Sequence, residues 1–167
     1  MADGAGLMKK RGVLLCCAGL VVALGVGVAV WWNWFRAPYA LADSPRIDVT
    51  VRAAKSKYPD VRETAEDVDT VVRAYVQRLK AGDVEGLMEL AGPAYDGTRG
   101  AAYEHVREFG EGARGHVDVT VLEGVVDYFN PVRLTYDRTD QQQELLLVKD
   151  DGYWWVALGD GDPAAGR

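Results

Sequence analysis

The stretch VVRAYVQRLKAGDVEGLMEL, residues 71–90, predicts a long helix, a tight corner and a short second helix. Gly82 ends the first helix, because glycine readily adopts the left-handed conformation found just after helices. Asp83 then caps the second helix. Upstream, from about Thr64 to Ala81, apolar side chains recur with the spacing of one helical face, at Val68, Val71, Val72, Tyr75, Val76 and Leu79.

A third helix is expected from about Ala101 to Gly110, with an inner face formed by Ala102, Tyr103, Val106 and Phe109. Strands follow, because apolar and polar side chains alternate at 117–121 and 132–137. Three helices followed by an antiparallel meander are typical of an α+β domain whose helices pack on one face of a curved sheet.

Two turns organise the predicted meander. Asn130-Pro131 is expected to turn the chain, and Asp151-Gly152 between two strand-like runs is typical of a hairpin. The run that follows, residues 153–158, is aromatic and apolar throughout, which favours a central strand with both faces covered. Alternation sends Trp154 and Trp155 to opposite faces of that strand.

A membrane span is predicted near the start of the chain. Val13 to Phe35 contains no charged side chain, and as a helix it reaches about 35 Å, enough to cross a hydrocarbon core about 30 Å thick. Indole rings favour the headgroup layer, and the outer end of the span carries Trp31, Trp32 and Trp34.

Charge sets the expected orientation of the span. Basic residues precede it at Lys9, Lys10 and Arg11, whereas only Arg36 follows closely. The positive-inside rule therefore keeps the N-terminus cytoplasmic and places the rest of the chain outside the cell membrane.

Two other interpretations of the N-terminus stay open. Ala40-Leu41-Ala42 resembles a cleavage site, although a signal peptide has a shorter apolar region than this one. A lipoprotein modified at Cys16 or Cys17 would have almost no apolar stretch before the modified residue. Two small residues inside a span explain these cysteines more simply.

The expected organisation is a cytoplasmic tail (1–12), a transmembrane helix (13–35), a tether (36–63), a domain (64–158) and a disordered tail (159–167). Within the tether, the alternating run 47–52 suits a short edge strand.

The exported part is acidic and lacks cysteine. Fifteen of the 19 basic residues and 24 of the 25 acidic residues lie beyond Arg36, which leaves a formal net charge of −9 there. Such a surface repels phosphate backbones and argues against a nucleic-acid partner. Because no cysteine follows Cys17, packing and not disulfide bonds must hold the domain together.

The helix–corner–helix stretch 71–90 and the closing DDGYWWV, residues 150–156, resemble the NTF2-like superfamily. This superfamily has a cone-shaped fold and includes steroid isomerases and SnoaL-like proteins. The resemblance covers about Thr64 to Leu158. It implies three helices packed on a curved antiparallel sheet.

The resemblance also implies a candidate pocket. Tyr75 matches the tyrosine that donates to the oxyanion in the isomerases. The candidate pocket at the mouth of the cone also includes Tyr95, Asp96, Tyr103 and one of the two tryptophans, Trp155 or else Trp154. The family's general base aligns with Arg99, whose guanidinium stays protonated and cannot accept a proton. Asp96 replaces it only if the bend is shifted, and the alternative is that Tyr75 is a core residue.

Other chemistry has little support. His105 and His116 are well separated and have no cysteine partner, so no metal site is expected, and His105 is predicted to be partly exposed. The chain has no glycine-rich phosphate loop with Lys-Ser or Lys-Thr and no Gly-x-Ser-x-Gly elbow. We expect no cofactor.

Three functions follow as expectations. The favoured one is a single-pass membrane protein that presents a non-catalytic NTF2-like domain for protein binding or assembly, including as a homodimer. A narrower one is a VirB8-like component of conjugation or type IV secretion machinery, which shares the order of tail, span and domain. The third is a small-molecule carrier or isomerase-like enzyme that uses the cone.

The predicted topology has a direct test. Protease added to intact spheroplasts should remove the C-terminal domain and spare the short tail before residue 13. A C-terminus that survives this treatment while the membrane is sealed would contradict the orientation.

Overall fold

The computed structural model describes residues 39–57, 60–91, 98–124 and 126–159. The chain forms strand β1, helices α1 to α3, a short 3-10 turn and strands β2 to β5. In order these are β1 (Asp48–Ala53), α1 (Asp60–Ala81), α2 (Val84–Leu90), α3 (Thr98–Phe109), the turn Gly112–Arg114, β2 (His116–Val121), β3 (Phe129–Tyr136), β4 (Gln141–Asp150) and β5 (Tyr153–Val156). The α+β class and the three helices are confirmed.

The five strands form one curled sheet in the order β1-β2-β3-β4-β5. β1 runs parallel to β2, and the other pairs are antiparallel. The expected antiparallel meander is confirmed for β2 to β5, but the sheet as a whole is mixed, because the chain leaves β1 through the helices and returns beside it in the same direction. β1 lies at one edge, as its short alternating pattern indicates.

β5 lies at the other edge of the sheet, so the expectation of a central strand is wrong. Its apolar character has two separate causes. Trp154 lies on the inner face with Val156 and is buried, whereas Trp155 lies on the outer face and meets the ring of Tyr39 edge-on at 6.0 Å. The Tyr39 ring, from the N-terminal side of the domain, thus covers part of the β5 edge that a sixth strand would otherwise cover.

The predicted helical corner is confirmed. α1 begins at Asp60, a few residues before the expected start, and ends at Gly82, whose φ is +68°. The Asp83 carboxylate accepts a hydrogen bond from the Gly86 N–H at 2.9 Å and caps α2.

α3 has the predicted period but a rotated face. Ala102, His105 and Phe109 are buried, whereas Tyr103 is 59% exposed. Residues 102, 105 and 109 are spaced by three and four positions and form one stripe, and Tyr103 lies outside it. The expectations of a buried Tyr103 and a partly exposed His105 are therefore wrong.

Asn130 and Pro131 do not turn the chain; they lie in β3, opposite Leu147 and Leu146. Pro131 has no N–H to donate to a neighbouring strand. It is tolerated because the residue beside it, Leu122, lies just beyond the end of β2, and the Leu122 N–H still donates to the Pro131 carbonyl. The Asp151-Gly152 hairpin is confirmed, with φ of 48° and 83° at its two central residues, as a type I′ turn requires.

The segment before β1 packs along α1. The amide nitrogen of Gln77 donates to the carbonyls of Ala42 and Pro45 at 2.7 and 2.9 Å, and its oxygen accepts from the Ala42 N–H at 2.8 Å. Residues 36–63, expected to be a tether, thus include β1, the first residues of α1 and a stretch held by a buried glutamine.

The predicted span 13–35, with Trp31, Trp32 and Trp34, lies outside the described residues, and so do residues 160–167 of the predicted disordered tail. Among the helices of the described ranges, we find none with both the length and the apolar character needed to span a membrane.

The cap of α2 gives a stability prediction. Asp83→Ala removes the acceptor for the Gly86 N–H and should lower the free energy of unfolding by about 1 kcal/mol. Asp83→Asn keeps an acceptor oxygen and is expected to lose much less, although it also removes the charge facing Arg78 at 3.7 Å. Urea unfolding of the two variants measures the difference, and equal losses would contradict the cap.

Candidate functional site

The three predicted pocket residues that the structure describes, Tyr75, Tyr103 and Trp155, do not lie together. Tyr75 is fully buried on α1, whereas Tyr103 lies on the solvent side of α3 and Trp155 on the outer face of β5. Tyr95 and Asp96 lie outside the described residues. Of the described candidates, only Tyr75 lies between the helices and the sheet.

Tyr75 belongs to a buried polar cluster made of Tyr75, His105, Tyr136 and Gln143. Its hydroxyl lies 2.7 Å from His105 Nδ1, and the Gln143 amide donates to the same hydroxyl at 2.7 Å. The Tyr136 hydroxyl donates to the Gln143 oxygen at 2.6 Å. The cluster therefore joins α1, α3, β3 and β4 through hydrogen bonds.

Two of the hydroxyls take different parts in these contacts. The Tyr75 oxygen accepts from the Gln143 amide and shares a second hydrogen bond with His105 Nδ1, in which the tautomer of the histidine decides the donor. Burial raises the pKa of the Tyr136 hydroxyl well above its ordinary value, which keeps it protonated as the donor to Gln143.

Aromatic rings fill the space around the cluster. His105 meets Tyr75 and Phe109 edge-on, at centroid distances of 6.1 and 6.0 Å. Phe109 in turn stacks on Tyr136 at 5.5 Å. The Tyr75 hydroxyl, for which the family resemblance implies a catalytic role, is therefore surrounded by core side chains, and the residue has no solvent-exposed surface.

The residue aligned with the family's general base also lies in the wrong place for that role. The Arg99 side chain is exposed and donates to the Glu85 carboxylate at 3.0 Å, which links α3 to α2 on the surface. An arginine there neither accepts a proton nor faces Tyr75.

The described residues best placed to hold a metal lie on the outer face of the sheet. The ligand atoms of His116, Asp118 and Asp137 fall within 4.8 Å of one another. Asp118 already pairs with Arg52. The Asp48 carboxylate lies 3.1 Å from His116 Nδ1 and raises the pKa of that histidine. These ion pairs account for the cluster, and we assign no metal to it.

A cavity of about 230 Å³ lies at the start of α1, near the loop after β2. Carboxylates and apolar side chains line it, namely Asp60, Val61, Thr64, Glu123, Gly124, Val126, Asp127, Asn130 and Trp154. The three acidic side chains would repel an anionic ligand.

Exposed apolar side chains project beside this cavity. We call residues 126–129 the β2–β3 turn; Val126 and Tyr128 are exposed there, and the Tyr128 ring lies 4.9 Å from that of Phe129. A bridge between Val126 and Phe129 and a bond from the Lys149 N–H to the Tyr128 carbonyl hold the turn in shape. Apolar and aromatic groups on an ordered turn are suited to contact with another protein.

Sequence reasoning missed three members of the buried polar cluster. Tyr136 lies in the alternating run 132–137, but its hydroxyl partner Gln143 lies outside the alternating runs from which strands are predicted. Gln143 in fact lies in β4 opposite Leu134, on the inner face. The sequence signal was the alternation of Gln143, Leu145 and Leu147, which continues the inner face of β4.

The buried polar cluster predicts the effect of removing one hydroxyl. Tyr75→Phe leaves Gln143 and His105 without their shared partner and should lower the free energy of unfolding by about 1 to 3 kcal/mol. Tyr103→Phe removes the same atom from an exposed ring and should be neutral. Thermal or urea unfolding checks this pair, and equal stabilities of the two variants would contradict the assigned bonds.

Comparisons with known proteins leave the family open. No family model, no curated protein and no solved structure matches this chain. The curled mixed sheet and three helices are compatible with an NTF2-like cone.

Proposed function

We propose that this chain is a single-pass membrane protein whose NTF2-like domain is presented outside the cell membrane for protein binding or assembly. The predicted span at 13–35 and the basic residues before it support the location. The acidic exported part argues against nucleic acid as a partner. The three helices, the corner at Gly82 and the Asp151-Gly152 hairpin support the cone.

The observation that carries the binding role is the burial of Tyr75. A catalytic hydroxyl must reach the reacting atoms of its substrate. Here the hydroxyl is enclosed, with hydrogen bonds to His105 and Gln143, and the position of the general base is an exposed arginine in an ion pair. Neither Tyr75 nor the residue aligned with the general base therefore supports the isomerase-like alternative, and its substitute base, Asp96, lies outside the described residues.

The β2–β3 turn is the surface that we assign to a protein partner. Tyr128 is 54% exposed, and Val126 is exposed beside it. Aromatic side chains are enriched in protein interfaces because they bury a large area with few rotatable bonds. A VirB8-like place in a secretion or conjugation complex is a narrower form of this proposal, supported by the shared order of tail, span and domain.

Site-specific photo-cross-linking of the full-length chain in native membranes tests this role. A photoreactive phenylalanine analogue replaces Tyr128 in one experiment and Tyr103 in the other. Both positions are exposed tyrosines, so Tyr103 serves as the matched control. We expect a discrete product of higher mass from position 128 alone.

The native complex gives the second readout. Tyr128→Ser should abolish co-purification of the cross-linked protein, and Tyr103→Ser should leave it intact. Failure to obtain a product at position 128, identical products at both positions, or a turnover that a folded Tyr75→Phe variant loses would each contradict the proposal.

A further inference from the structure

The edge of the sheet at β1 has backbone groups that no described strand uses. In the described part of the chain, β2 is the sole strand paired with β1. The Ala54 N–H donates to the Val121 carbonyl at 2.8 Å, so the backbone groups of Ala54 point towards β2. Since successive residues point their N–H and C=O groups to opposite sides, those of Val49, Val51 and Ala53 face away from β2.

The side chains of β1 form a self-complementary pattern. Asp48, Thr50 and Arg52 lie on the outer face, where the Asp48 and Arg52 side chains are 78% and 60% exposed. Val49 and Val51 lie on the inner face. The acidic Asp48 and the basic Arg52 therefore lie two residues before and two residues after Thr50.

We propose that β1 pairs antiparallel with β1 of a second copy, about a two-fold axis at Thr50. Asp48 then lies opposite Arg52 of the second copy, and Val49 lies opposite Val51. The two-fold symmetry repeats each contact, so the interface contains two ion pairs and two valine pairs.

The direction of the free backbone groups fits this register. Val49 and Val51 both face away from β2, so each exchanges two hydrogen bonds with the residue opposite it. Thr50 becomes a non-hydrogen-bonded pair with its own copy, at a Cα separation of about 4.5 Å. The register is thus set by the backbone alternation and the charges together.

Neighbouring registers lack this complementarity. Moving the axis to Val51 places Arg52 opposite Thr50, and moving it to Val49 places Arg52 opposite Arg46, a like-charge pair. If the axis lay between two residues, backbone groups that point away from β2 would lie opposite groups that point towards β2 and are already bonded to it. Of these arrangements, the one centred on Thr50 gives two pairs of opposite charge.

The surrounding charges also favour a second copy. In a single chain Asp48 faces His116. The same outer face carries Asp118 and Asp137, and the permanent cation beside them is Arg52, which pairs with Asp118. Arg52 of a second copy would place a further permanent positive charge beside Asp48. The pairing therefore gives each Asp48 a permanent cation as its cross-strand neighbour, in addition to His116 of its own chain.

This inference deepens the proposed function, on which it rests for its membrane setting, by naming a second copy as one partner. The β1 edge and the β2–β3 turn are different surfaces. Cross-linking at Tyr128 and pairing through Thr50 can therefore succeed or fail separately.

Disulfide trapping tests the register in the full-length chain. Cys16 and Cys17 are first replaced by alanine, and Thr50→Cys or Asp48→Cys is then added. Two copies of residue 50 would lie within the Cα range that a disulfide spans, whereas two copies of residue 48 would be about 13 Å apart. Mild oxidation in native membranes should trap Thr50→Cys as a dimer at least tenfold more than Asp48→Cys.

Charge reversal supplies a control that does not depend on cysteine. Asp48→Arg gives a chain with two cations on this edge, and Arg52→Asp gives one with two anions, so each should self-associate roughly tenfold more weakly than the parent. A mixture of the two should restore pairing as a heterodimer, detected with two affinity tags in detergent. Circular dichroism confirms that each variant is folded.

Equal trapping at positions 48 and 50, or a mixture that pairs no better than either variant alone, would overturn the inference. Recovery of the Thr50→Cys dimer together with the charge-matched heterodimer would establish both the partner and the register.

Discussion

The need to satisfy polar groups in the core organises this domain. Tyr75, His105, Tyr136 and Gln143 are buried, and a hydroxyl or amide without a partner there costs about 1 to 3 kcal/mol. Their hydrogen bonds require α1, α3, β3 and β4 to meet in one arrangement, since the atoms must approach to 2.6 to 2.7 Å. Apolar contacts alone would tolerate small sliding of the helices over the sheet; these bonds do not.

The same requirement gives Tyr75 a structural role in this domain. A buried hydroxyl either faces a cavity or is satisfied by neighbouring polar groups. Here His105 on α3 and Gln143 on β4 supply both partners, and Phe109 stacks beside them. The space around Tyr75 is therefore part of the hydrophobic core.

Local chemistry made much of the fold predictable. The apolar stripe of α1, the Gly82–Asp83 corner and the Asp151-Gly152 turn depend on neighbours in sequence, and all three appear as expected. The errors came from long-range packing. Whether Tyr103 or His105 faces inward depends on α1, and the edge position of β5 depends on Tyr39, more than a hundred residues earlier. The hydrogen-bond partners of Tyr75 could not be predicted for the same reason, because only the tertiary fold brings His105 and Gln143 to it.

The two edges of the sheet are treated differently. At β5, Tyr39 places its ring against Trp155 and its hydroxyl accepts from the backbone N–H of Trp154, so the chain itself covers part of this edge. At β1 no described strand uses the outward-pointing backbone groups, and the symmetric contact proposed there would use the same surface on both molecules. Growth of this sheet by edge addition would accordingly stop at ten strands and two chains, which guards against open-ended fibres.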